Sequence, residues 1–245
     1  MKQYEAVIQT IEKLGGIATL GQLNQEVFKI KDCNWETKTP FASIRRIVQL
    51  RPEIYKIRPG LYGLVKLKNE NENKGIFEET QKNKNTKEVI DFNHSYYQGI
   101  LLQLGDLKRL KTFIPNQDKN KKFLDQTLGN LSTLNAIPQF SYPNIIQRSS
   151  TIDVIWFNER GLPHSFFEIE HSTDIQNSLL KFNDLQDFYV RMFIVADRVR
   201  KGEYENKIKY SSFQGIQKRV TFLDYEVLIK QYENFIEQQK FTFLL

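Results

Sequence analysis

Hydrophobic positions recur with two different periods along this chain, and a polar stretch separates its two parts. In "YEAVIQTIEKLGG" the apolar residues Ala6, Val7, Ile11 and Leu14 form a stripe at helical spacing that ends at Gly15-Gly16. "TLGQLNQEVF" predicts a second, short helix with Thr19 as its N-cap. "TPFASIRRIVQL" predicts a third: Thr39 caps, Pro40 occupies the first turn, and Phe41, Ile44, Ile47 and Val48 face inward. "EIYKIRPGLYGLV" then alternates like a hairpin around Pro59-Gly60. The next stretch, "KLKNENENKGIFEETQKNKNTKEVIDF", has few apolar anchors. It buries too little surface to offset its ordering entropy, so it predicts a solvated linker, part helical. The chain thus divides into residues 1–66, a linker at 67–91 and residues 92–245.

The second part opens with a helix, "HSYYQGILLQLGDLKRL", and a short strand, "KTFIPN", which runs into the lysine-rich loop "QDKNKK". Residues 123–150 read only as helix plus loop. Strands follow at "TIDVIWF" and "SFFEIEH", then a helix at "IQNSLLKFNDLQDF" and a core strand at "VRMFIVAD". A late strand, "VTFLD", leads into a last helix, "YEVLIKQYENFIEQQ". The order implies an α/β plan with one sheet flanked by helices.

Composition narrows this picture. With 245 residues, 40% hydrophobic and 13% aromatic, the chain is long enough for one large or two smaller folded domains. A net charge of +6 favours an anionic partner. The one cysteine, Cys33, excludes an internal disulfide and a cysteine-based zinc site, and reads as a small apolar residue. The N-terminus carries acids and lacks the continuous apolar core of a signal peptide. No apolar run approaches the ~18 residues of a membrane span. The expectation is a cytoplasmic protein.

Chemistry concentrates in "IDVIWFNERGLPHSFFEIEHS". Two apolar runs flank a turn, yet they carry Asp153, Glu168 and Glu170, and an ionised carboxylate is rarely buried without a partner. Strand alternation puts positions 168 and 170 on one face. If the runs pair as a hairpin around "NERGLP", Asp153 lies beside that pair. An E-x-E on a strand is most often solvent-facing, but "SFF" and "VIWF" make this one a core element. Clustered carboxylates repel unless a cation neutralises them, and hard oxygens suit Mg²⁺, with Mn²⁺ as a substitute. Such an ion can activate water for attack on a phosphodiester. His164 and His171 lack a ligand-spaced His/Cys set and read as structural or loop residues.

"ID", fourteen residues, then "EIE" resembles the PD-(D/E)XK nuclease superfamily, to which many restriction endonucleases belong. The resemblance covers about 150 residues and implies an α/β nuclease core, a mixed sheet flanked by helices. It makes Asp153 and Glu168 metal ligands, with Glu170 where the family usually has lysine. Glu170 would then act as general base or ligate a second ion, and Lys181 on the following helix would be a migrated cation. The family's early helix often brings an acid to the site, and here offers only Gln98 or Gln103.

Three helices followed by a ribbon is the order of a small winged helix-turn-helix domain. "PFASIRRIVQLRPEIYKIRPGLYGL" resembles the winged-helix family often called HARE-HTH, shared by chromatin proteins and restriction endonucleases. A recognition helix in the major groove would turn Lys38, Thr39, Ser43, Arg46 and Gln49 to DNA, with Arg45 and Arg58 on phosphates. Lys119 of "PNQDKNKK" and Arg148 read either as ordinary solvated charges or as phosphate contacts. The combined expectation is a Mg²⁺-dependent, type II restriction-like endonuclease cutting double-stranded DNA, acting as a homodimer or in successive cuts. Two other readings stand beside it: a methylation-dependent endonuclease, and a DNA-binding regulator with an inactive nuclease fold.

Overall fold

The computed structural model of the chain describes residues 1–172 and 174–242. It comprises two units: Met1–Phe92 together with Ile229–Leu245, and Asn93–Leu228.

In the first unit, α1 (Gln3–Lys13) buries Ala6, Val7 and Ile11 and stops before Gly15 and Gly16, both at positive φ. β1 (Ile17–Thr19) follows, a strand too short to show alternation in the sequence. Thr19 caps α2 (Leu20–Glu26) in a reciprocal box. Its hydroxyl accepts from the Gln22 amide at 3.0 Å, and the Gln22 side chain accepts from the Thr19 amide at 2.8 Å. α3 (Pro40–Leu50) starts at the expected proline, although the Thr39 hydroxyl makes no capping bond. β2 (Ile54–Arg58) and β3 (Leu61–Leu64) form the hairpin, and β1 pairs antiparallel with β3. The expected two-stranded ribbon is therefore a three-stranded sheet, in the order β1-β3-β2.

Gly60 turns the hairpin at φ +73°, and a Cβ there would meet Ile229 at 2.5 Å, so both backbone and packing require glycine. The buried faces of the helices and ribbon close one core, with Ile11, Leu23, Ile44, Val48, Ile54 and Leu64 among its members. Each such side chain contributes roughly 1.5–3 kcal/mol on burial. The polar 67–91 segment carries α4 (Lys68–Asn73) and is more than solvated chain: it buries Asn71 and Ile76.

The second unit is built on α5 (Lys87–Leu107), β4 (Lys111–Phe113), a small hairpin of β5 (Lys122–Phe123) and β6 (Gln126–Thr127), α6 (Leu128–Leu131) and α7 (Pro143–Ser149). Then come β7 (Val154–Phe157), β8 (Pro163–Glu170), α8 (Ile175–Asn183), β9 (Arg191–Ala196), α9 (Lys201–Lys207), β10 (Val220–Asp224) and α10 (Tyr225–Thr242). α9 and the β5–β6 hairpin were not legible in the sequence pattern. The five-stranded sheet has the order β10-β9-β8-β7-β4. β8, β9 and β10 run parallel, while β7 and β4 are antiparallel to their neighbours, so the sheet is mixed.

Alternation sorts the two faces. Ile155, Phe157, Phe166 and Ile194 pack with Ile175, Leu179 and Phe182 of α8. Trp156 and Phe167 lie on the opposite face, where the Trp156 indole donates to the Leu101 carbonyl of α5 at 3.0 Å. No helix among the described residues is long and apolar enough to cross a membrane.

Candidate active site

Register brings the acids together. Val154 pairs with Phe167, so Asp153, one residue before β7, meets the stretch of β8 that carries Glu168. The backbone locks the junction: the Ile169 amide donates to Asp153 Oδ2 at 2.8 Å, and the Asp153 amide donates to Glu168 Oε1 at 3.3 Å. Glu168 and Glu170 share the α8 face, where Ser178 donates to Glu168 Oε2 at 2.9 Å and also contacts Glu170 Oε1. One turn further along α8, Lys181 Nζ reaches Glu168 Oε2 at 2.7 Å and the Thr151 carbonyl at 3.1 Å.

This cluster is nearly dry. Glu168 is 2% exposed and Glu170 4%. Burial, and then the Asp153 charge, push the Glu168 carboxyl well above the usual carboxylate range, against the pull of Lys181 and Ser178. Burial works against the Lys181 charge, yet Glu168, with Asp153 and Glu170 behind it, raises that ammonium above its ordinary value. Arg200 approaches Glu170 Oε2 at 3.9 Å and pairs with Glu203 at 2.7 Å. Three acids and one ammonium thus converge at the end of two strands. This is the arrangement that a buried carboxylate cluster needs to avoid mutual repulsion.

Asp153 also faces the α5 side. His94 Nε2 lies 3.7 Å from Asp153 Oδ1, and Asp118 completes a group whose donor atoms all lie within 4.8 Å of one another. Gln98, fully buried, donates to Asp118 Oδ2 at 2.8 Å and to the Asp153 carbonyl at 3.1 Å. Sequence reading placed Gln98 near the site and missed His94, Asp118 and Ser178. Asp118 lies in the lysine-rich loop and drew no notice among its cations. Ser178 is a small polar residue on an apolar helical stripe, a weak signal. His94 lies within α5, where a lone histidine on a helix with an apolar stripe carries no ligand signal in the sequence.

Of the residues expected at DNA, Lys38, Thr39, Arg46 and Gln49 are exposed around α3, and Ser43 is half-buried. Arg45 is engaged within its own unit, bonding Glu237 at 2.9 Å with Glu233 at 3.7 Å. Arg58 is not a surface cation: its side chain is fully buried, pairs with Glu79 at 3.1 Å and lies over the Phe92 ring at 4.7 Å. The register of β2 against β3 shifts between Lys56 and Arg58, and Ile57 and Arg58 are both buried there, so the phosphate contact that the resemblance implied for Arg58 has no exposed cation to make it. Lys119 donates to the Asn135 carbonyl at 2.6 Å, and Arg148 pairs with Asp184 at 2.6 Å. Both are half-exposed and anchored locally. Gln103 is half-buried on α5.

Comparison with known proteins adds one match. A family model described as the type II restriction enzyme NmeDI C-terminal domain matches residues 75–244, more than half of the chain, and leaves residues 1–74 outside it. No curated protein and no solved structure matches the chain. The mixed sheet with its carboxylate cluster lies inside the matched stretch, and the chain belongs to the family of the type II restriction enzyme NmeDI C-terminal domain.

Proposed function

We propose that this chain is a Mg²⁺-dependent, sequence-specific endonuclease of double-stranded DNA. Its second unit would have a PD-(D/E)XK-type centre, and its first unit a winged helix that grips the substrate. The observation that carries the reading is the convergence of Asp153, Glu168, Glu170 and Lys181 on one end of β7 and β8 within a restriction-enzyme family domain.

A divalent ion fits the donor set. Asp153 keeps Oδ1 for it, since Oδ2 is committed to the Ile169 amide, and Glu168 Oε1 is held by only a long bond from the Asp153 amide. Asp153 and Glu168 would hold the ion, which supplies a Lewis acid for a phosphoryl oxygen and a more acidic water. The remaining chemistry belongs to the chain. Lys181 occupies, from α8, the cationic role for which β8 offers Glu170, and holds its ammonium beside Glu168 through two hydrogen bonds. Ser178 ties Glu170 to Glu168 and fixes their orientation. In the first unit, the exposed residues of α3 would read base edges, Arg46 first among them. A homodimer would place one centre on each strand.

The test is incubation of unmethylated and methylated plasmid DNA with Mg²⁺, followed by sequencing of the fragment ends. Asp153→Ala and Glu168→Ala are expected to lower cleavage by about 10³-fold or more while DNA affinity changes by less than about threefold. Cleavage by both variants at the parent rate refutes the centre. Cutting of methylated DNA alone selects the methylation-dependent reading, and binding without any cutting selects the inactive regulator.

A further inference from the structure

The α5 side of Asp153 carries a feature that the nuclease reading does not use. Gln98 is 0% exposed, and both partners of its side-chain amino group are acceptors, Asp118 Oδ2 and the Asp153 carbonyl. That fixes which end of the amide is nitrogen. It leaves Oε1 buried, with no hydrogen-bond partner among the described residues. A buried acceptor of this kind costs about 1–3 kcal/mol unless a donor or cation meets it. Its amide sits between two members of the His94, Asp118 and Asp153 group.

Donor atoms on one small divalent ion at about 2.1 Å lie roughly 3–4.2 Å apart, and the 3.7 Å between His94 Nε2 and Asp153 Oδ1 falls within that interval. Asp118 is 3% exposed and is neutralised by Lys121 at 2.7 Å, whose side chain is 40% exposed and can turn to solvent. We propose that His94, Asp118 and Asp153 form a mixed nitrogen–oxygen cation site, with Gln98 holding the Asp118 carboxylate and the Asp153 backbone carbonyl, and that the imidazole makes it prefer Mn²⁺ over Mg²⁺. Carboxylates serve Mg²⁺, Ca²⁺ and Mn²⁺ alike, whereas imidazole favours the transition metals. The site shares Asp153 with the proposed nuclease centre. It rests on that reading for the use of the ion but not for its binding.

The full chain, titrated with Mn²⁺ alone, is read by electron paramagnetic resonance for bound metal and by electron spin-echo modulation for directly coordinated ¹⁴N. The parent protein is expected to show nitrogen modulation. His94→Gln is expected to abolish it and weaken Mn²⁺ binding tenfold or more, while Mg²⁺, measured by competition, weakens less than threefold. Asp118→Asn should weaken both ions about tenfold. Bound Mn²⁺ without nitrogen modulation in the parent, no Mn²⁺ binding, or modulation that survives His94→Gln each overturns the site. The parent's spectrum alone decides whether nitrogen is coordinated, even if a variant fails to fold. Plasmid cleavage in Mg²⁺ is scored separately. Cleavage without nitrogen coupling removes this inference and keeps the nuclease reading, and coupling without cleavage does the reverse.

Discussion

Glu233 allows the physics of the first unit to be tested apart from any catalysis. It lies on α10 with 8% of its surface exposed, and Arg45 stands 3.7 Å away. Burial pushes its carboxyl up to about 7 from an ordinary 4.5, against Arg45 and with help from the Glu237 charge. Across that interval the folded chain keeps a proton that the unfolded chain has released. Stability therefore falls as the pH rises: the contribution is fully present below about pH 4.5 and lost as the pH passes about 7. The interval corresponds to roughly 3 kcal/mol. Glu233→Gln keeps the shape and removes the titration. Trp35 lies in the first unit and Trp156 in the second, so a Trp156→Phe background confines the fluorescence signal to the first. In urea unfolding, the Gln variant should match its parent near pH 4.5 and exceed it by about 2–3 kcal/mol near pH 8. Parallel pH profiles would refute the reasoning.

Three further outcomes are expected. Lys181→Met leaves Glu168 buried without its cation, and should cost about 3 kcal/mol in chemical denaturation; a loss under about 1 kcal/mol would mean that the pair is not structural. Gly99→Ala places a Cβ 2.1 Å from the Phe123 ring and should destabilise by about 1–3 kcal/mol, whereas Gly202→Ala, with nothing within 4 Å, should be neutral or slightly stabilising in the same thermal melts. Arg46→Ala should weaken DNA binding about tenfold in a gel-shift titration, while Arg45→Ala, removed from its bonds to Glu233 and Glu237, should mainly lower stability; equal affinity losses would contradict their different exposures.

The helices and sheet strands with clean periodicity were legible because burial alone dictates their spacing, as for α1, α3, β7 and β8. Thr19 and Gln22 announced a capping box by residue type. β1 and the β5–β6 hairpin carry two or three residues per strand, too few for any period to register. The acids on β8 stood out because they interrupt apolar runs. Asp118 did not, since an acid among lysines looks like surface, and only the tertiary fold buries it beside Gln98. Arg58 misled in the opposite direction: a cation next to Pro59-Gly60 suggests a phosphate contact, while in the fold, just past a register shift in β2, it is buried and paired with Glu79.

α10 belongs to both units, changing allegiance between Leu228 and Ile229, and α5 does the same between Phe92 and Asn93. Gly21 and Gly60 of the first unit are closed over by Ile236 and Ile229 from the far end of the chain. A fragment ending at Phe92 would therefore leave those glycines facing water. Anyone grafting the N-terminal part onto another protein must carry the tail of α10 with it, since the recipient would otherwise inherit an unfinished module.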